Sequence, residues 1–141
     1  MSRVVSLRLQ DEQFERLRRA ARQLSRTPSE AAALLLEESL REREFAFIEF
    51  RDTRAGREAF LKGTRLKVWQ VVMVARGHEG DLARVAEHVG KPVVQIQAAL
   101  TYAAAYPDEM AAALADNDTS EAELRRLIPN LRVFEIDASA P

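Results

Sequence analysis

Valine, serine and arginine stand two residues apart in the segment Arg3-Val4-Val5-Ser6-Leu7-Arg8-Leu9, and those three side chains make a mixed set for recognition. The guanidinium of Arg8 can donate two parallel hydrogen bonds, the Ser6 hydroxyl can donate or accept, and Val4 offers an apolar contact. Val4, Ser6 and Arg8 project together only if the segment is a β-strand, whose side chains alternate between faces. The opposite face then carries Val5, Leu7 and Leu9. A lone strand leaves its backbone donors and acceptors unpaired. The simplest remedy is the same strand from a second copy of the chain, paired across a two-fold axis. The ribbon so formed has the width of the DNA major groove.

Two helices are expected to hold that strand. The first begins near Asp11 and runs to about Leu24, with Phe14, Leu17, Ala21 and Leu24 at core-facing spacing. The second opens at Thr27-Pro28-Ser29-Glu30, a capping box with proline at the first helical position. Its apolar surface from Ala31 through Leu34 and Leu35 to Leu40 is too wide for one small neighbour, and a dimer partner would cover it. The expected dimer core is therefore Val5, Leu7, Leu9, Phe14, Leu17 and Leu34.

The formal net charge of the 141 residues is −1, which does not describe a generally basic nucleic-acid binder. The distribution is more telling. Residues 1–26 hold seven arginines against three acids, whereas residues 27–54 hold four basic and seven acidic side chains. Positive potential thus gathers around the ribbon and first helix, where phosphates would dock. A solvated arginine-rich helix face is the alternative. The chain has no cysteine, which removes disulfide and thiolate chemistry and suits a reducing cytoplasm. No apolar run approaches the ~20 residues of a membrane helix.

Strand, helix, short polar turn and capped helix resemble the ribbon-helix-helix (MetJ/Arc/CopG-like) repressors over about a third of the chain. The resemblance implies that Val4, Ser6 and Arg8 read bases, that Val5, Leu7 and Leu9 form the core, and that the start of the second helix binds phosphate. Arg3, Thr27 and Ser29 are the phosphate-contacting residues on this reading. Valine at the first reading position departs from the commoner polar residue.

A second unit follows. Aromatic and β-branched residues from Phe45 to Asp52, a turn at Thr53-Arg54-Ala55-Gly56 and a return over Arg57 to Leu61 predict a β-hairpin. Three helices come next: Val68 to Arg76 ending at Gly77, Asp81 to Val89 ending at Gly90, and Pro92 to Tyr106. The last two have the outline of a helix-turn-helix. The stretch Lys62-Gly63-Thr64-Arg65-Leu66-Lys67-Val68, with Ala98-Ala99-Leu100-Thr101-Tyr102-Ala103, resembles the small bacterial family catalogued as domain of unknown function 433. In place of that family's glycine-proline lead-in this chain has Ala59-Phe60-Leu61-Lys62, and Lys67 stands where proline is common. The resemblance implies an antitoxin of the VapB type, partnered with a PIN-like ribonuclease toxin.

No catalytic constellation emerges from the spacing. His78 and His88 lie ten residues apart on different segments and read as surface or capping residues, Gly63-Thr64 lacks the remainder of a phosphate loop, and Asp108 and Glu109 suit a helix first turn. Trp69 is expected to anchor the core. Tyr102 and Tyr106, four apart, are expected to form a partly exposed patch for a partner. Lys91, Gln95 and Gln97 would meet DNA if the second unit read bases, but residues 55–118 hold seven basic against eight acidic side chains, so a dimerisation or partner-binding role is favoured there.

The tail carries a further capping box, Ser120-Glu121-Ala122-Glu123, expected to open a short helix striped by Leu124, Leu127 and Ile128. A β-prone segment with Val133, Phe134 and Ile136 follows. These six residues either wrap the toxin or pack on the chain's own hairpin. The expected architecture is mainly α with short β. Residues 1–44 form an intertwined ribbon-helix-helix dimer, 45–118 a β-hairpin plus helix-turn-helix-like domain, and 119–141 a C-terminal helix and β-prone tail, the candidate toxin-binding segment. The expected function is a cytoplasmic, non-enzymatic antitoxin, homodimeric or higher, without cofactor or metal, that represses its own operon on double-stranded operator DNA. A stand-alone regulator and a non-DNA dimeric interaction module are the alternatives.

Overall fold

The computed structural model describes residues 1–127, among which six helices and one two-stranded antiparallel sheet occur. The order is α1 (Asp11–Gln23), α2 (Pro28–Glu44), β1 (Ile48–Thr53), β2 (Gly56–Leu61), α3 (Val68–Gly77), α4 (Leu82–Val89), α5 (Val93–Ala105) and α6 (Pro107–Leu127). The protein is mainly helical with a small β-hairpin, as the periodicities predict. No helix among the described residues is long and apolar enough to cross a membrane.

Residues 1–10 form neither helix nor strand within the chain. The helical hairpin after them is closed by local chemistry. Gln13 Oε1 accepts from the Gln10 amide at 3.1 Å at the head of α1. Ser25 takes the left-handed conformation (φ 54°) and the Arg26 amide reaches back 2.9 Å to the Ala21 carbonyl, which ends α1 as a glycine would. Thr27 Oγ1 then accepts from the Glu30 amide at 3.2 Å, with Pro28 behind it, and α2 begins where the sequence predicts.

β1 and β2 pair from Ile48 with Leu61 to Thr53 with Gly56. Arg54 and Ala55 keep negative φ, so the turn is not a primed type; Gly56, at φ 107°, takes the corner instead. Phe45–Phe47, expected in the strand, lie outside it, because α2 extends to Glu44 and Phe47 adopts a φ of 60° that no strand permits. Ala59, Phe60 and Leu61 are buried in succession rather than alternately. Their outer cover comes from Arg51, whose guanidinium lies 4.7 Å from the Phe60 ring centroid, and from a bridge between Phe60 and Lys67.

One core joins the hairpin to the helices: Ile48, Leu61, Val68, Val71, Val85, Ile96 and Tyr102 are buried within it, and Met110 brings in α6. Asp81 caps α4 through bonds to the Ala83 and Arg84 amides, and Gly90 stops it in the left-handed conformation (φ 67°). Trp69 packs against this core as expected, with its Nε1–H donated to Glu58 at 3.1 Å. Two further expectations need correction. Tyr102 is not a partner patch: it is fully buried, edge-on to Phe45 at 5.3 Å. Nor does a helix open at Ser120, because α6 already runs through it from Pro107, so the 118/119 boundary falls inside a helix.

Candidate nucleic-acid interface

The candidate site is built from residues 1–10, the arm, with α1 and the start of α2. Val5, Leu7 and Leu9 line one open groove of about 790 Å³ with Phe14 and Leu17 of α1 and with Pro28, Ala32, Ala33 and Leu36 of α2. Val4, Ser6 and Arg8 do not line it and are exposed. The two-residue alternation in the sequence therefore survives as a division between an apolar side and a polar side of the arm.

The apolar side is not a core within one chain. Val5 is 79 %, Leu7 72 % and Leu9 40 % exposed, and Phe14 remains 44 % exposed. Of the six expected dimer-core residues, Leu17 and Leu34 are half-buried, and none of the six is buried. On α2, Leu35, Leu36 and Leu40 are exposed. Among the described residues, no backbone hydrogen bond involves the amides or carbonyls of residues 1–9. The arm thus presents both unpaired backbone and unburied apolar side chains.

The charge around it is equally open. All seven arginines of residues 1–26 are exposed. Only Arg18 has an ion-pair partner among the described residues, Glu15 at 3.1 Å. Arg3, Arg8, Arg16, Arg19, Arg22 and Arg26 leave their donors to solvent or a ligand. At the head of α2, Pro28 has no N–H and the Glu30 amide is taken by Thr27, so Ser29 supplies the one unpartnered first-turn amide among the described residues. The phosphate contact expected there narrows to that amide, with the Thr27 hydroxyl hydrogen beside it.

The second unit uses its charges internally. Arg57 Nε lies 3.0 Å from both carboxylate oxygens of the buried Glu38, and Arg57 Nη1 lies 3.2 Å from Asp52. Glu58 accepts from Trp69, Thr53 and Lys67. Burial alone would raise the Glu58 carboxyl; those bonds reverse the effect and hold it below the ordinary carboxylate range. Arg41 of α2 donates to the Tyr102 hydroxyl at 2.8 Å, which itself donates to Glu109 at 2.7 Å, and the same guanidinium sits 3.8 Å over the Tyr106 ring. Burial, then the Glu109 carboxylate, push the Tyr102 phenol well above its ordinary value.

Lys91, Gln95 and Gln97 lie at the α4–α5 junction, Lys91 and Gln95 half-buried and Gln97 exposed. Leu127 is exposed at the end of α6. Ile128, Val133, Phe134 and Ile136, with the side chain of Leu124, lie outside the described residues. The sequence reasoning missed three contacts: Glu38 with Arg57, Arg41 with Tyr102, and His78 with His88. In the first two, α2 carries the partner of a residue in the second unit, and no local motif signals a pairing across 19 or 61 residues. Comparison of the chain with known protein families, with curated proteins and with solved structures finds no match to any of them.

Proposed function

We propose that the chain is a homodimeric binder of double-stranded operator DNA that reads sequence through a two-stranded ribbon made by residues 3–9 of two copies. The observation that carries this reading is the sidedness of the arm: three apolar residues on a groove, three exposed residues opposite, and a backbone with no partner in its own chain. A second arm antiparallel to the first would satisfy both the hydrogen bonds and the apolar surface. Arg8 would contact a guanine, Ser6 and Val4 its neighbours, and Arg3 with the Ser29 amide and Thr27 hydroxyl the flanking phosphates.

The biological role proposed is autoregulating antitoxin of a toxin–antitoxin pair. Its support is the resemblance of residues 62–103 to a family that accompanies PIN-like ribonucleases, and the segment 119–141 is assigned to that partner. Selection from random duplexes with the full-length chain, followed by mobility shifts, tests the DNA reading. Arg8→Ala should weaken the selected site by about 1–3 kcal/mol and relax one base position. Unchanged binding by Arg8→Ala at matched salt, or a selection that enriches no sequence, would overturn it. Co-purification with the product of the neighbouring reading frame tests the antitoxin role separately.

A further inference from the structure

Two imidazoles that the DNA reading leaves unused meet at the corner between α3 and α4. His78 is the residue that ends α3, and His88 stands in the last turn of α4. Their facing nitrogens, His78 Nε2 and His88 Nδ1, are 2.9 Å apart, with ring planes crossing at 76°. His88 is exposed and His78 half-exposed, so solvent reaches the pair. The backbone on either side is fixed. The Gly80 amide bonds the Ala75 carbonyl at 2.9 Å, the Asp81 amide bonds the His78 carbonyl at 3.0 Å, and Ala75 and Val85 are buried beneath.

We propose that this pair is a bidentate site for a divalent copper or nickel ion. With nitrogen–metal bonds of about 2.1 Å, nitrogens at the observed separation subtend about 90° at an ion set to one side of the line between them, onto which each ring must turn its lone pair. That is the cis angle of square-planar and tetragonal copper and nickel, whose affinity for imidazole is also the highest of the divalent first-row ions. Tetrahedral zinc requires facing nitrogens about 3.4 Å apart and fits less well. The hydrogen between the facing nitrogens moves to the far nitrogen of the ring that carries it, which frees a lone pair on each ring for the metal. No third His, Cys, Asp or Glu converges on the pair among the described residues, and water completes the coordination. The bound ion staples the end of α3 to α4.

Titration of the full-length chain with copper chloride, against glycine as competing chelator, tests the site. The expected result is one saturable ion per chain, with electron paramagnetic resonance showing two coordinated imidazole nitrogens, nickel binding more weakly and zinc most weakly. His78→Gln and His88→Gln, each checked for retained helicity by circular dichroism, should each lose one imidazole from the spectrum. Each should also weaken binding at least about tenfold, since even loss of a residue behind a metal ligand costs that much. Fewer than two imidazoles in the wild-type spectrum, or unchanged affinity in either variant, would overturn the assignment.

Discussion

Leucine 7 offers the sharpest test of the proposed pairing. Full burial of a valine or leucine side chain contributes about 2 kcal/mol. Val5, Leu7 and Leu9 are 79 %, 72 % and 40 % exposed in the single chain, which leaves roughly two side chains of apolar surface per protomer for a partner to cover. A symmetric pair therefore gains roughly 8 kcal/mol from these residues alone, against the roughly 4–15 kcal/mol that association costs. Leu7→Ala removes about 1.5 kcal/mol of that gain from each protomer, hence about 3 kcal/mol from the dimer. Its dimer Kd should rise about 100-fold. Val4 is the internal control, since it is 95 % exposed and lines no groove, and Val4→Ala should leave the Kd unchanged. Sedimentation velocity over a dilution series measures both. A Leu7→Ala shift within about threefold of wild type, or equal weakening by the two variants, refutes the sidedness of the arm.

Tyr102→Phe keeps the buried ring and deletes a hydroxyl bonded to Arg41 and Glu109; because both partners regain water, the cost should be about 1–2 kcal/mol, read as a lower urea midpoint with unchanged m-value. The raised phenol of Tyr102 means the folded state disfavours its ionisation, so stability is complete below the ordinary tyrosine range and falls as pH climbs through alkaline values; a tyrosinate absorbance rise that precedes loss of helicity would contradict this. Glu58 works with the opposite sign: its depressed carboxyl contributes stability above the ordinary carboxylate range that is lost as pH falls below it, and Glu58→Gln should flatten the acid limb of the urea midpoint against pH. Gly56→Ala places a side chain at φ 107° with open space around it, so only backbone strain acts, and the loss should be about 1 kcal/mol by thermal unfolding.

Where local chemistry decides the outcome, the sequence is readable. Thr27-Pro28 starts α2, Asp81 starts α4 and Gly90 ends it, each because one side chain or one backbone conformation satisfies otherwise unpaired groups. Contacts between distant elements are a different matter. Tyr102 looks like a surface aromatic beside Tyr106 until Phe45 and Phe50 close over it from the other side of the chain. Ser120 carries every sign of a helix start, but nothing upstream breaks the helix begun at Pro107, and propagation costs less than a new nucleus. The imidazole pair follows from a tight corner, legible in Gly77 to Asp81, and from which face of α4 turns back toward α3, which depends on the buried core. For the arm, alternation marks its two sides, yet within one chain its backbone finds no partner.

Helix α2 is seventeen residues long, about 25 Å from end to end. Its head borders the arm groove, while Glu38 and Arg41 near its tail are clasped by Arg57 of the hairpin and by Tyr102 of α5. No flexible joint interrupts the rod between those fastenings. Anything that grips the hairpin end and tilts it by a few degrees sweeps the other end through about an ångström or two, as much as separates a made hydrogen bond from a broken one. A load on the second unit is therefore felt at the arm groove by leverage alone.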